Sequence, residues 1–389
     1  MKQYKLGDIC EIKSGGTPSR SNKKFFGGSI PWAKISDITE AGTYISETEE
    51  RITEEGLEDI SKRIFPQNTL LFSMYGSLGK TAITAIPMST NQAILGIQPD
   101  KEILALKYLK YWCDYKQDRF IYSANGVALK NLSATKVKNF KISLPSLEVQ
   151  QQIVEILDEA VNLREKREKS LNEISKMVKS IFIHTFGDPQ TNNKRYPKGT
   201  IRDLVEEVKY GTSSKSSDSG NYAYLRMNNI DYDGYMDYSD LKYINLEDKE
   251  IPKYTVKMGD LIFNRTNSKE LVGKTGIFEE EEPMALAGYN IRVRTNKKAN
   301  PYYIWGYLNS IHGKQTLENM CKSIVGMANI NAQELQDIEI LIPPIEDQNL
   351  FEKKLHEIKT LKEQAFNSKK YMDNLFNSLL QKTFNGELV

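Results

Sequence analysis

Cysteine is scarce in this chain. Three thiols, Cys10, Cys113 and Cys321, occur in 389 residues with no paired spacing, which excludes a disulfide framework and points to reduced thiols in a cytosol. Histidine is equally rare, and His184, His312 and His356 lie far apart, so no Cys/His cluster has the spacing of a metal site. Long apolar runs are missing too. No stretch approaches the roughly 18 apolar residues of a membrane span, and Met1-Lys2-Gln3-Tyr4-Lys5 has no apolar core behind it. These absences predict a cytoplasmic protein with no metal and no membrane contact. Charge of one sign is also lacking, because the net charge is +2, so the whole chain does not advertise a polyanionic partner. The distribution is uneven all the same. Glu47 to Asp59 and Glu279 to Glu282 are acid-rich, whereas Lys13 to Lys24 and Lys209 to Lys215 carry only basic charges.

Motifs for catalysis are absent as well. The chain has no Gly-x-Ser-x-Gly elbow, no Gly-x-Gly-x-x-Gly and no Asn/Asp-Pro-Pro-aromatic tetrapeptide; Asp188-Pro189-Gln190 comes nearest and lacks the second proline and the aromatic. Gly79-Lys80-Thr81 and Gly273-Lys274-Thr275 invite a phosphate-loop reading, but Walker A needs a glycine where Met74 and Ser268 stand. A strand entered through a tight turn explains both better. The chain therefore reads as lacking a catalytic centre of its own.

What is present is a repeat. Leu144-Pro145-Ser146-Leu147-Glu148-Val149-Gln150 returns 198 positions later as Ile342-Pro343-Pro344-Ile345-Glu346-Asp347-Gln348. Upstream, Leu6-Gly7-Asp8-Ile9 pairs with Ile201-Arg202-Asp203-Leu204, and Lys13-Ser14-Gly15-Gly16-Thr17 with Lys209-Tyr210-Gly211-Thr212. Asn68-Thr69-Leu70-Leu71-Phe72 pairs with Gly259-Asp260-Leu261-Ile262-Phe263, and Asn125-Gly126-Val127-Ala128 with Val325-Gly326-Met327-Ala328. A period this long marks a duplicated domain, not a solenoid.

Each copy ends in an amphipathic run. Ile153, Leu157, Leu171, Ile174, Val178 and Ile181 in the first, and Leu355, Ile358, Leu361, Met372, Leu375 and Leu379 in the second, recur at helical spacing. Arg164 to Lys169 reads as a solvated charged stretch between the apolar segments. A helix of nearly forty residues is about 55 to 60 Å long, too long to bury in a domain of about 150 residues. Each stripe needs a partner, and the two helices are expected to pair antiparallel as a coiled coil with pseudo-twofold symmetry; packing of each helix on its own domain is the alternative. The expected organisation is a globular domain at 1–144, a long helix at 145–187, a linker and second globular domain at 188–342, and a second long helix at 343–389. Both globular parts read as α+β, with buried strands at Thr69–Ser73 and Asp260–Asn264 and aromatic helices at Ile103–Tyr115 and Tyr302–Ile311.

The remaining signal is loops in which basic, amide, hydroxyl and aromatic side chains alternate. In the first copy these hold Lys13, Ser14, Gly16, Thr17 and Arg20, then Trp32 and Lys34, then Ser73, Tyr75, Ser77 and Lys80. The second copy offers Lys209, Tyr210, Thr212, Ser213 and Lys215, then Arg226 and Asn228, then Asn264, Arg265, Asn267 and Lys269. Arginine and lysine suit guanine, asparagine suits adenine, and small residues let backbone approach phosphate. Ordinary polar surface loops are the competing explanation.

Taken together these residues resemble the specificity subunit of type I restriction-modification systems. The resemblance rests on the opening Leu6 to Pro18, on Ile30-Pro31-Trp32, on Gly259 to Arg265, and on the runs from Leu144 to Gln151 and Ile342 to Gln348. It implies two target recognition domains that each read one half of a bipartite, asymmetric DNA site, with the paired helices as a ruler. It also implies two modification subunits, which bring S-adenosylmethionine and methylate adenine, and restriction subunits, which bring ATP and Mg. This chain would bind none of those cofactors. A coiled-coil scaffold whose domains bind protein or RNA, or a self-sufficient methyltransferase or nuclease, would be the competing classes. The copies differ in ways that matter: no proline follows Thr212 as Pro18 follows Thr17, and the loop from Asn264 to Gly273 is longer than that from Ser73 to Gly79.

Overall fold

The computed structural model describes residues 2–124, 131–324 and 327–387. The proposed repeat of Asn125 to Ala128 with Val325 and Gly326 lies outside them. The chain divides into two compact units, Met1–Glu168 with Asn367–Val389, and Lys169–Phe366. Each unit thus contains one globular domain and part of both long helices.

In the first unit, strands Cys10–Ser14, Ile94–Pro99, Leu70–Ser73, Thr81–Thr84 and Tyr44–Ile45 form one sheet in that order. Glu50–Ile52, Phe26–Ala33 and Ser89–Thr90 form a second. Every residue of Leu70–Ser73 is buried, because this strand feeds two cores at once. Leu70 and Phe72 pack with Tyr108, Leu109 and Trp112 of the helix Leu106–Ser123, whereas Leu71 joins Ala33, Ile38 and Met88. The second unit repeats the device. Leu261 and Phe263 join Tyr303, Ile304 and Leu308 of the helix Pro301–Asn309, while Ile262 joins Leu225, Val256 and Phe278. A strand covered on both faces reads as an unbroken apolar run, and each such side chain contributes roughly 1.5–3 kcal/mol by burial.

The duplication is visible bond by bond. Gly15 N donates to Ile94 O at 3.0 Å as Gly211 N donates to Asn290 O at 3.2 Å. Leu6 N meets Phe140 O as Ile201 N meets Ile338 O, and Met74 N meets Ala93 O as Arg265 N meets Tyr289 O. Registers agree as well: Leu71 faces Gly96 where Ile262 faces Arg292. Asn68 (φ 64°) and Gly259 (φ 88°) make the same left-handed turn before the central strand, a conformation asparagine and glycine tolerate better than other residues. Gly79 and Gly273 are left-handed too, at φ 78° and 80°, and lead into strands Thr81–Thr84 and Thr275–Ile277. Both Gly-Lys-Thr segments are therefore turn-to-strand entries, as the spacing predicts.

The long helices run Leu147–Phe186 and Ile345–Asn385, 40 and 41 residues. Within the first unit they pair antiparallel, since Arg164 meets Asp373 at 2.7 Å and Glu168 meets Lys369 at 2.5 Å. Within the second, the Phe182 and Phe186 rings lie 5.6 and 5.2 Å from Phe351. Both expected packing modes occur together, because Ile153 and Leu157 also bury against their own domain beside Tyr108 and Leu109, and Leu355 beside Ile304. Ile358 is buried, Val178 and Ile181 are partly buried against the second unit's core, Leu379 against the first's, and Leu171, Ile174 and Met372 are half-buried.

Two pairing residues need correction: Leu361 and Leu375 are 49% and 40% exposed. The inward face descends Phe351, Leu355, Ile358, Lys362, Ala365, Lys369, Met372, Phe376 and Leu380, all buried or half-buried. Two of these positions hold lysines, so a search for apolar residues alone slips to their neighbours. Nor is the Arg164 to Lys169 stretch wholly solvated, since Arg164 and Glu168 reach across the seam and the Arg164 guanidinium lies 4.7 Å from the Phe376 ring centre.

The start of each helix is locked by a glutamine. Gln150 Oε1 accepts from Ala105 N at 2.9 Å, and its amide donates to Ile103 O at 3.0 Å and Pro145 O at 3.1 Å. Gln348 accepts from Asn300 N at 2.8 Å and donates to Lys298 O at 3.2 Å and Pro343 O at 2.9 Å. Both side chains are fully buried. Each satisfies three backbone groups of its unit, which lie buried or partly buried beside the helix start.

Candidate nucleic-acid interface

The three loop groups of the first unit converge. Thr17 donates to Gln92 Oε1, Trp32 Nε1 to Gly16 O at 2.9 Å, and Met74 N to Ala93 O, so the loops after Ser14, around Trp32 and after Ser73 share one end of the sheets. Arg63, overlooked in the sequence, donates to Gly15 O at 2.9 Å and fixes the same loop. Close approach explains the glycine there: a Cβ on Gly15 would stand 2.4 Å from the carbonyl oxygens of Thr90 and Asn91, and one on Gly211 2.2 Å from Leu286 O. Replacing Gly211 by alanine is expected to cost about 1–3 kcal/mol, measured by urea unfolding.

Several first-unit candidates have structural positions instead. Trp32 is 1% exposed with its N–H used, and Ser73 is buried with its hydroxyl on Tyr75 O at 2.8 Å. Gly16 is buried, with Ile60 where its Cβ would be. These residues hold the loops and do not face a partner. Arg20 spreads over the Phe26 and Trp32 rings at 4.6 and 4.9 Å and pairs with Glu50 at 2.6 Å. Lys34 meets Glu49 and Glu50 at 2.5 and 3.0 Å, and Lys13 meets Glu11. The hydrogen bond from Arg20, helped by Lys34, holds the Glu50 carboxyl below its usual range. The acid-rich stretch therefore folds onto the basic loop. Among the candidates, Lys13, Arg20, Tyr75 and Lys80 are exposed, and Ser14, Thr17, Lys34 and Ser77 half-exposed.

In the second unit, Asn264 is buried and serves as a hub. Its amide donates to Tyr289 O at 3.1 Å and Asn290 Oδ1 at 3.2 Å, and its Oδ1 accepts from Asn267 at 3.0 Å. Thr212 is buried with its hydroxyl on Ser214. Both stabilise the loops instead of facing outward. Lys274 also departs from its copy: Lys80 is exposed, whereas Lys274 is buried and donates to Met227 O at 2.7 Å and Ile230 O at 2.5 Å, with burial lowering its pKa. Arg226 pairs with Asp240 at 2.8 Å beside Asn228, Lys209 with Glu207 at 2.5 Å, and Lys269 lies 3.5 Å from Glu318. Ser213 and Lys215 are exposed.

Arg265 is arranged differently. Its guanidinium lies 4.9 Å from the Tyr210 ring centre, Nη2 donates to Asn329 Oδ1 at 3.3 Å, and Asn329 is held by Thr266 at 2.8 Å. Tyr210, whose hydroxyl accepts from Ala332 N, and Tyr289 are 43% and 55% exposed beside it. Neither Tyr289 nor Asn329 stands out in the sequence; the signal for Tyr289 was an aromatic next to Asn290, which pairs with Asn264. Among the described residues no group of His, Cys, Asp and Glu could hold a metal ion, and no helix is long and apolar enough to cross a membrane. Exposed aromatics, amides and cations such as these are suited to bases and phosphates.

A family model for the type I restriction modification DNA specificity domain matches residues 1–176 and again residues 193–368. The chain belongs to that family. The two matched copies are the two halves of the repeat, each a globular domain with much of its following helix. At 26% identity over 99% of this chain and 92% of the relative, it is similar to the type I restriction enzyme MjaIX specificity subunit of Methanocaldococcus jannaschii. It is 23% identical to the type I restriction enzyme EcoKI specificity subunit of Escherichia coli K12, over 84% of this chain and 76% of that one. Among solved structures, the S subunit of a type I restriction-modification system from M. genitalium superposes with a TM-score of 0.55 at 15% identity, covering 98% of this chain and 96% of the other. A chain from a structure of type I complex assembly and conformational transition reaches 0.66 at 14% identity, covering 100% and 98%. These likenesses establish that the α+β domain with its long helix is the type I specificity fold, present twice.

Proposed function

We propose that this chain is the DNA sequence-recognition subunit of a type I restriction-modification complex in the cytoplasm, with no chemistry of its own. Each unit's loop end reads one half of a bipartite, asymmetric site on double-stranded DNA, and the long helices fix the gap. Two modification subunits carrying S-adenosylmethionine dock on the chain and methylate adenine, which they must flip from the duplex. Restriction subunits using ATP and Mg join them. The observation that carries this reading is one scaffold, repeated hydrogen bond by hydrogen bond, that ends in unlike loops: Met74 and Ala93 in one copy where the other has Arg265 and Tyr289. Equivalent scaffolds with different loops suit two different half-sites.

The test is duplex binding by the full chain with its modification partner across a salt series. Sequence-selective binding that weakens steeply between 50 and 200 mM salt, by about 10³-fold or more for six or more phosphate contacts, is expected. Salt-insensitive binding, or equal binding to all sequences and to RNA, would favour a protein- or RNA-binding scaffold.

A further inference from the structure

We infer that Arg265 reads a guanine in the half-site addressed by the second unit, and that the first unit has no such contact because Met74 takes its place. The inference rests on the DNA-recognition reading above and deepens it. Equivalence of the two positions follows from backbone bonds on both sides: Met74 N to Ala93 O and Leu132 N to Met74 O in one copy, Arg265 N to Tyr289 O and Ile330 N to Arg265 O in the other.

One observation separates Arg265 from the other candidate arginines, and two more describe how its guanidinium is presented. Arg20 and Arg226 are each held by a carboxylate, Glu50 and Asp240, which balances their charge within the chain. Among the described residues Arg265 meets no carboxylate; its one hydrogen bond is from Nη2 to Asn329, and its Nε is enclosed without a partner. A guanidinium carries five donors, so this one is under-satisfied. It is also held by the Tyr210 ring on its face and by Asn329 at its edge, Asn329 in turn donating to the Thr266 hydroxyl. A planar fork of donors matches the O6 and N7 acceptors of guanine as it matches phosphate oxygens; a contact offered by one copy and replaced by Met74 in the other suits a base of one half-site better than the backbone common to both. The Tyr210 ring under it and Tyr289, joined to it through the backbone, are both exposed and offer flat surfaces to a base.

The test uses the full chain with its modification partner and a random duplex library, with selected sequences read for the wild type, R265M and R265K. The wild type is expected to demand one guanine that R265M releases by about 10- to 100-fold, with the other half-site unchanged. A second arm changes the DNA: 7-deazaguanine, which lacks N7, is placed at each guanine of the site in turn, and one position should lose about tenfold with the wild type and nothing further with R265M. Equal weakening of all sequences by R265M, or tolerance of 7-deazaguanine everywhere, overturns the inference while leaving DNA recognition standing. A wild type with no sequence preference overturns both.

Discussion

Replacing Gln348 by alanine is expected to cost the second unit about 3–5 kcal/mol, among the largest effects of any single change in the chain. The side chain is fully buried and bonds three backbone groups, Asn300 N, Lys298 O and Pro343 O. Each group left without a partner away from water costs about 1–3 kcal/mol, and the space vacated adds to the loss. The same change at Gln150 should destabilise the first unit by a similar amount, because its three bonds are the copy of these. Gln348→Met, which keeps the volume and removes the polar atoms, separates the two contributions and should retain most of the loss. Urea unfolding of the full chain reads all three. A loss under about 1 kcal/mol in Gln348→Met would show that the backbone groups find other partners.

The second large effect is expected at Glu207. Arg292 occupies the register position held by Gly96 in the first copy, where a Cβ would strike the Phe65 ring at 2.2 Å. In the second copy the volume is refilled by a 2% exposed guanidinium that bonds Glu207 at 2.5 Å and the carbonyl of Thr255. Arg294 adds bonds to Glu207 at 3.0 Å and to Asp260 at 2.8 Å. Glu207 is itself 25% exposed, but its removal strands the 2% exposed Arg292 charge; a fully buried pair so broken costs about 3–5 kcal/mol, and Glu207→Ala should approach the lower end and unfold the second unit at lower urea.

Acid should act on the same group. Burial pushes the Glu207 carboxyl up, but the Lys209 hydrogen bond and the Arg292 and Arg294 charges outweigh it and hold the carboxyl below its usual value. A carboxyl lowered on folding stabilises the protein above its ordinary range and loses that contribution as pH falls through the lowered value. Wild type should therefore weaken below about pH 4.5, and Glu207→Gln should weaken less over the same interval. An identical pH dependence in both proteins would remove Glu207 from the account of acid sensitivity.

The duplication, the helix starts and the buried central strands were legible because they depend on local pattern. Leu70-Leu71-Phe72 and Leu261-Ile262-Phe263 could be read as buried strands, and the turn before each was marked by Asn68 and Gly259. The contents of the helix seam were less legible. Lys362 and Lys369 sit on the inward face, one under the Tyr235 ring at 3.8 Å and the other on Glu168, and no hydropathy pattern anticipates a partnered lysine. The loops were read by residue type alone, which cannot distinguish a side chain that supports a surface from one that forms it. Trp32 and Asn264 have the chemistry of a base contact and are used inside the fold, while Tyr289 escaped notice because its role depends on a neighbour 24 positions away. Gln150 and Gln348 were noticed as a repeated motif, but their clamp on the backbone of the preceding domain requires the tertiary structure.

In the function proposed above, a shared scaffold carries unlike loops that read two unlike half-sites. The most direct test is the methylome of cells that carry this chain with its modification subunit and no other adenine methyltransferase. Methylated adenine is expected to be confined to one bipartite, asymmetric motif whose two halves differ, and whose guanine in one half is lost with R265M. Methylation without any motif, or a motif with a single undivided half, would contradict it.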